Sequence, residues 1–273
     1  PQFFTAIAGY LYSIIKGVPF VLEIRDLWPE SITSLKNMKE NFYTRMLKRI
    51  AIRMYTKAEI IITATNSLKN DIVKYGIDQN KIHVITNGVD IHEYNHELEK
   101  THVYDKYKIS KNSFIISYIG TIGQAHGLEV VLEAAKMSQN DRYLFLIIGD
   151  GSEKDKLKSI AKKYKLSNVI FIDSLKWQEI IDIQQIIDIN FIHLKPIDLF
   201  KGAIPSKIFE SMYFSKPIIL GVHGEAQEII TSSNSGIIMK PGDKNSMIEC
   251  IEDLYSNHAL LQTLGENGNK YVK

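Results

Sequence analysis

The chain has 273 residues, of which 45% are hydrophobic and 23% charged, so it can bury the cores of two ordinary domains. Its net charge of +2 is too small to indicate binding to nucleic acid. The single cysteine, Cys250, excludes an internal disulfide framework, and no His/Cys cluster has the spacing of a metal site. The single cysteine also fits a reducing cytosol, so we expect a cytoplasmic protein. No apolar run reaches the length of a membrane span.

The first third of the chain predicts a short α/β unit. Residues 1–17 are apolar but lack the basic start and cleavage site of a signal peptide, so they predict a buried or half-buried helix instead. Strands are predicted at 20–24, 58–65 and 81–86, with a helix at 39–57 and another that begins at Asn66 or Ser67 and ends at Gly76. Three strands are too few for a complete doubly wound domain, so we expect the missing part to precede Pro1.

The polar stretch 91–112 predicts an interdomain crossing with little core. A second alternation of strands and helices follows it. The predicted strands are 114–119, 143–148, 169–172, 187–193, 217–220 and 236–239, and the predicted helices between and after them are 128–137, 153–164, 178–186, 226–232, 244–255 and 260–273. This alternation predicts parallel, doubly wound sheets in two lobes, 1–95 and 96–273, with a last helix that can pack back on the first lobe.

The first strand ends at Arg25 and Asp26. Ligands of an open α/β sheet bind outside the carboxyl ends of its strands, so this loop is well placed for function. Asp26 stays ionised beside Arg25 and could orient or deprotonate an acceptor hydroxyl, which makes the two residues catalytic candidates. The alternative is a structural ion pair that anchors the Trp28-Pro29 loop.

Gly120 and Gly123 lie in a strand-to-helix turn, where backbone N–H groups can approach phosphate oxygens. The pattern is neither a dinucleotide fingerprint nor a Walker loop, so an ordinary tight turn is an equal alternative. His126, in the same turn, is a candidate phosphate or sugar ligand, with a surface histidine as the simpler alternative.

The segment 195–212 leaves a predicted buried strand and enters a helix at Pro205 or Ser206, with Ser206 as the predicted N-cap. Lys207 and Glu210 lie one turn apart on that helix. A cation beside free N–H groups forms an anion site, and a nearby carboxylate can accept hydrogen bonds from sugar hydroxyls. The same spacing equally fits a solvated Lys–Glu pair on a surface helix.

Several motifs together resemble the glycosyltransferases of family four, the retaining GT-B group, and especially its bacterial capsule and lipopolysaccharide subgroup. They are LEIRDLWPES at 22–31, NGVD at 87–90, YIGTIG at 118–123, IIGDG at 147–151, PSKIFESM at 205–212 and KPII at 216–219. The motifs follow the family's order over nearly the whole chain, and the block 205–219 is the most specific. The resemblance implies a GT-B fold with two doubly wound Rossmann-like lobes, of which the N-terminal lobe is incomplete.

The resemblance also implies an enzyme that moves a hexosyl or N-acetylhexosaminyl group, with retention of configuration, from a UDP-linked donor to a growing, lipid-linked or oligosaccharide acceptor of the cell surface. The donor is held mainly by the C-terminal lobe and needs no metal or other cofactor. Glu210 then accepts hydrogen bonds from the ribose, Lys207 holds the diphosphate, and backbone at Lys201 and Gly202 meets the donor sugar. The implied donor-binding residues are Gly120, Gly123, His126, Lys201, Gly202, Lys207 and Glu210.

The chain departs from the family pattern at two positions. Many members have two glutamates with seven residues between them; Glu210 matches the second, and the first falls at Gly202. His126 stands where many members have a lysine. The alternatives are therefore an inactive or truncated nucleotide-sugar-binding protein and, less favoured, a sugar-nucleotide epimerase of the same fold.

The helix predicted at 39–57 is rich in lysine and arginine. Such a helix can rest on anionic lipid at the inner face of the plasma membrane, near a lipid-linked acceptor. A solvated basic face is the simpler interpretation.

Overall fold

The computed structural model describes residues 3–30, 41–90, 100–138 and 140–273. They divide into two compact units, one formed by Pro1–Asn87 with Ile197–Ile204 and the other by Gly88–Pro196 with Pro205–Lys273. The boundary predicted after residue 95 falls outside the described residues and stays a prediction. The segment Ile197–Ile204 belongs to the first unit although the chain reaches it from the second.

The first unit contains a three-stranded parallel sheet in the order β1-β2-β3. Its elements are α1 (Phe3–Lys16), β1 (Val21–Ile24), α2 (Phe42–Lys57), β2 (Ile60–Thr63), α3 (Asn66–Val73) and β3 (Ile82–Val84). Ile24 pairs with Thr63 and Thr63 with Val84, so the three carboxyl ends meet at one edge. Met54 of α2 and Ile72 of α3 are buried in one core with the sheet.

The cap predicted for α3 is wrong by one or two residues. Thr65, not Asn66 or Ser67, is the N-cap, and its hydroxyl accepts a hydrogen bond from the Leu68 N–H at 3.1 Å. Thr65 has extended backbone at the strand exit, whereas Asn66 is already helical, so only Thr65 has the geometry of a cap.

The second unit contains a six-stranded parallel sheet in the order β6-β5-β4-β7-β8-β9. Its elements are α4 (Lys100–Tyr107), β4 (Phe114–Ile119), α5 (Glu129–Met137), β5 (Tyr143–Ile148), α6 (Lys154–Tyr164), β6 (Val169–Ile172), α7 (Trp177–Gln184), β7 (Ile189–His193), α8 (Lys207–Tyr213), β8 (Ile218–Gly221), α9 (Glu225–Ser233), β9 (Gly236–Ile238), α10 (Lys244–Ser256) and α11 (His258–Val272). The predicted bounds of β4, β5 and β6 are confirmed. The strand order reverses between β4 and β7, and ligands of doubly wound folds bind at such a switch point.

Helices cover both faces of this sheet, which explains why its central strands are continuous apolar runs. Phe145 and Ile147 of β5 pack in one cluster with α5, α10 and α11, and Leu146 and Ile148 of the same strand pack in a second cluster. Cys250 is a small buried residue of α10. The Asn269 side chain of α11 donates a hydrogen bond to the Tyr213 carbonyl of α8, so the last helix packs within the second unit.

The prediction that 91–112 contributes little core is wrong for its described part. Residues 100–107 form α4, and Val103 and Ile109 are buried in one cluster with Ile115 of β4. Two apolar side chains at suitable positions suffice to pack a polar helix against the sheet. The average polarity of the segment does not show that it contains them. Among the described residues, no helix is both long and apolar enough to cross a membrane.

Candidate functional site

The turn after β4 and the turn after β5 cross at very close range. The Gly120 N–H donates to the Ile148 carbonyl at 2.9 Å, and the Ile122 N–H donates to the Asp150 carbonyl at 2.7 Å. A Cβ built on Gly149, whose φ is +138°, would lie 2.0 Å from the Gly120 carbonyl oxygen. The two turns therefore form one rigid platform, and the Gly120 amide is already used within it.

The ammonium group of Lys207, the first residue of α8, lies against this platform. Its Nζ is 3.9 Å from the centroid of the Tyr118 ring, and a Cβ on Gly120 would lie 2.8 Å from Nζ. Among the described residues, the buried Lys207 Nζ has no hydrogen-bond partner. A buried cation without a partner is costly, and a bound anion would satisfy it.

The environment of Lys207 changes its proton affinity. Burial lowers the pKa of Lys207 to about 7, although the nearby Glu210 carboxylate acts in the opposite direction. The face of the Tyr118 ring further favours the charged form. The solvated Lys207–Glu210 ion pair considered above is wrong: Lys207 Nζ is buried and unpartnered, and Glu210 is half-buried.

Glu210 lies one turn further along α8 than Lys207. Burial raises its pKa, and attraction by Lys207 partly reverses this shift. Ser206 is the N-cap residue of α8, as predicted, although its backbone is helical and its side chain makes no capping hydrogen bond. Since α8 has only seven residues, its dipole is short, and an anion bound here would depend mainly on the Lys207 ammonium.

The turn of Gln124–His126 continues the platform toward β7. The His126 N–H donates to the Gly123 carbonyl at 3.1 Å, and its ring meets the Tyr118 ring edge-on with centroids 5.7 Å apart. Burial and, next, the charge of Lys207 lower the pKa of His126 to about 4. His126 is therefore neutral at pH 7 and would contact a ligand as a hydrogen-bonding group, not as a cation.

The first unit contains its own pocket at the end of β1. The pocket lining includes Arg25, Asp26 and Gly202. Arg25 Nε donates to Glu23 at 2.7 Å. The ion pair at this strand end therefore joins Arg25 to Glu23, whereas the alternative in the sequence analysis paired Arg25 with Asp26. A Cβ on Gly202 would lie 2.5 Å from the Ser67 Cβ, so the close approach of these two residues leaves no room for a side chain.

Lys201, the other predicted residue of this segment, lies in the short helical turn Asp198–Gly202. Its ammonium forms an exposed ion pair with Asp198 at 2.7 Å. The structure thus brings Gly120, Gly123, His126, Lys207 and Glu210 together in the second unit. It places Arg25, Asp26, Lys201 and Gly202 in the first.

Three residues of the second unit were missed by sequence reasoning. Tyr118 supplies the ring under Lys207, and the buried Lys154 donates to the Gly149 carbonyl at 2.7 Å and to Asp173 at 2.6 Å. His193 is 2% exposed at the end of β7 and is hydrogen bonded at both ring nitrogens. One feature of the sequence could have identified His193: it ends an apolar strand, at the sheet edge where ligands are expected to bind. Within the described ranges, no three His, Cys, Asp or Glu residues are grouped as metal ligands.

Comparison with known proteins gives relatives for both units. The chain is 22% identical over 88% of its length to the glycosyltransferase MJ1069 of Methanocaldococcus jannaschii. It is 23% identical over 93% of its length to the capsular polysaccharide biosynthesis glycosyltransferase CapM of Staphylococcus aureus. The chain spans 60% and 65% of the lengths of these two relatives.

A solved structure resembles the fold. The chain superposes on HepE from Anabaena, in complex with UDP and glucose, with a TM-score of 0.83 at 17% identity, covering 99% of this chain and 71% of that one. The fold is thus of the GT-B type, with two Rossmann-like units. The model of the Glycosyltransferase Family 4 domain matches residues 1–93, and the model of Glycosyl transferases group 1 matches residues 99–271. The chain belongs to the group 1 glycosyltransferases.

Proposed function

We propose that this protein is a retaining glycosyltransferase that transfers a hexosyl or N-acetylhexosaminyl group from a UDP-linked donor to a growing, lipid-linked glycan of the cell surface. The reaction takes place on the cytoplasmic side of the membrane. CapM supports the cell-surface product, because its name assigns it to capsular polysaccharide. HepE supports the donor, because it has been solved with UDP-glucose as well as with UDP.

The observation that carries the proposal is the unpartnered Lys207 ammonium beside Gly120 at the switch point of the second sheet. A diphosphate supplies the charge that this ammonium lacks, and the departing nucleoside diphosphate needs that cation most when its negative charge grows. Gly120 contributes space for the close approach, since its amide is bonded to Ile148. The amide of Gly123 and the neutral ring of His126 are the proposed further contacts.

In the first unit, the proposal gives Asp26 the task of orienting the acceptor hydroxyl. Asp26 lines the same pocket as Gly202. The backbone of Gly202 is proposed to meet the donor sugar together with that of Lys201. Arg25 remains the second catalytic candidate, although it is bonded to Glu23. UDP binding without turnover of any UDP-sugar by the full-length protein would favour the inactive binding protein instead.

Glu210→Ala tests the ribose contact directly. We expect the wild-type protein to bind UDP about tenfold or more tighter than 2′-deoxy-UDP, because a hydrogen bond to a carboxylate is worth roughly 1.5–3 kcal/mol. The variant is expected to lose this preference and most of its UDP-sugar turnover. Titration calorimetry with both nucleotides gives the ratio of the two dissociation constants.

Glu266→Ala is the matched control, because Glu266 lies on α11 and accepts from Gln262 at 2.7 Å on the surface. Glu266→Ala should keep the wild-type ratio of the dissociation constants for 2′-deoxy-UDP and UDP. If Glu210→Ala also keeps that ratio and its turnover, Glu210 does not contact the ribose.

A peripheral membrane contact is the second part of the proposal. On α2, Phe42 and Tyr43 are 68% and 69% exposed, close to the exposed Arg45 and Arg49. Aromatic and basic side chains together suit the interface of an anionic membrane. Lys48 is not part of this surface, because it pairs with Glu30 at 3.1 Å.

The double variant Arg45→Glu/Arg49→Glu should bind vesicles with phosphatidylglycerol about tenfold or more weakly, since each basic residue near an anionic surface contributes about 1 kcal/mol. Co-sedimentation with vesicles of phosphatidylcholine, with and without phosphatidylglycerol, measures this. Lys162→Glu/Lys163→Glu on α6 makes the same change of charge at two exposed lysines elsewhere. Equal binding by the two double variants would show that α2 has no special role.

A further inference from the structure

His193 holds two loops together through one ring. The Gly242 N–H donates to His193 Nε2 at 2.8 Å, and His193 Nδ1 lies 2.6 Å from the His126 carbonyl oxygen. Since Nε2 accepts, the proton of the neutral ring is on Nδ1 and is donated to His126. Burial lowers the pKa of His193, which keeps the ring neutral.

The surrounding backbone is shaped to accept this ring. A Cβ on Gly221 would lie 2.4 Å from His193 Cδ2, and a Cβ on Gly127, whose φ is +56°, would lie 3.3 Å from Cε1. The Phe191 ring is nearly parallel to the imidazole, with an interplanar angle of 16° and centroids 5.5 Å apart. Two glycines and one aromatic ring therefore fix both the position and the plane of the imidazole.

The two loops that His193 joins follow different strands of the second sheet. The first is the turn 120–127, which carries Gly123 and His126 and adjoins Tyr118 and Lys207. The second is the loop 240–243 between β9 and α10. His193 ends β7, the strand beside β4 at the point where the sheet order reverses. The ring thus links the proposed diphosphate turn to the loop 240–243.

We propose that His193 is a positioning residue of the donor site: its Nδ1–H tautomer locks the turn 120–127 to the loop 240–243, and so fixes the groups that receive the diphosphate. The inference rests on the proposed function, because it names the diphosphate as the ligand. His193 does not touch the donor in this proposal. It acts through the carbonyl of His126 and the backbone of Gly242.

Three substitutions separate the two hydrogen bonds. His193→Phe keeps a buried ring and removes both bonds. His193→Asn offers an amide N–H near the position of Nδ1, so it can still donate to the His126 carbonyl. His193→Gln offers an oxygen near the position of Nε2, so it can still accept from the Gly242 N–H. All three are compared by titration with UDP, by KM and kcat for the UDP-sugar donor, by thermal unfolding and by amide hydrogen exchange.

We expect His193→Phe to raise the UDP dissociation constant and the donor KM about tenfold with a much smaller change in kcat, and His193→Asn to recover most of this loss. His193→Gln should recover less, because the bond to His126 is the one that fixes the turn. Hydrogen exchange at 121–127 should speed up in the phenylalanine variant with or without UDP.

Two results would overturn the inference. One is UDP affinity equal to wild type in His193→Phe. The other is UDP affinity that follows thermal stability equally across the three variants, with no recovery specific to asparagine. Failure of the proposed function is distinguishable from both, because the wild-type protein itself would then not bind UDP.

Discussion

Lys207→Met is expected to weaken UDP binding by about 100-fold while making the folded protein more stable. The loss arises because a hydrogen bond between charged groups contributes roughly 1.5–3 kcal/mol, and Lys207 has the buried ammonium that faces the proposed diphosphate. The gain, about 1–3 kcal/mol in the free energy of unfolding at pH 7, arises because methionine fills the site without a buried charge.

The same group gives the wild-type protein a pH signature. The pKa of Lys207 is about 7 in the folded state against an ordinary value of 10.5, so the unfolded chain binds more protons between these values. The unfolding free energy contributed by this group therefore rises with pH across that window, and the full penalty is present below pH 7. Lys207→Met should lack this rise.

UDP affinity should change with pH in the opposite sense. A bound diphosphate raises the pKa of Lys207, so binding above pH 7 takes up a proton and the affinity falls by at most about tenfold per pH unit. Calorimetry in two buffers of different ionisation enthalpy measures the proton uptake. Lys244→Met is the control, because Lys244 forms a surface pair with Glu133 at 3.4 Å and should change neither quantity appreciably. Unchanged UDP affinity in Lys207→Met would contradict the assignment.

Gly149→Ala is expected to destabilise the second unit by roughly 3 kcal/mol or more, with loss of UDP binding in the same step. The backbone of Gly149 has φ +138°, and the new Cβ would lie 2.0 Å from the Gly120 carbonyl oxygen. The overlapping atom belongs to the Gly120 backbone, so relief of the overlap requires the turns after β4 and β5 to separate. Chemical unfolding followed by circular dichroism measures the change in free energy.

Gly242→Ala is the control that separates the cost of a positive φ from the cost of steric overlap at the new Cβ. Gly242 also has positive φ, +78°, but a Cβ there would meet only Pro196 at an ordinary 3.9 Å. This control should cost about 1–2 kcal/mol, the penalty for a left-handed residue. If the two variants lose the same stability, the crossing of the two turns is not a tight constraint.

Periodicity and turn residues predicted much of the second sheet from the sequence. The bounds of β4, β5 and β6 follow from continuous apolar runs that end in glycine or polar residues, because a strand buried on both faces leaves this mark. The cap of α3 and the burial of Val103 were not predictable in the same way. The cap of α3 depends on the backbone angles of a single residue. The burial of Val103 depends on which face of the sheet the short helix α4 packs against.

The candidate site, too, was predictable from the sequence only in part. The sequence by itself determined the family and the parallel α/β architecture of both units, and it made Lys207 and Glu210 candidate site residues, because these inferences depend on residue order and local spacing. Only the tertiary structure decided that the Lys207 ammonium is buried without a partner, that Gly120 supplies space rather than an amide, and that Gly202 lies against Ser67. Those properties depend on atoms contributed by distant parts of the chain, and so does the ring of His193 between Gly127, Gly221 and Gly242.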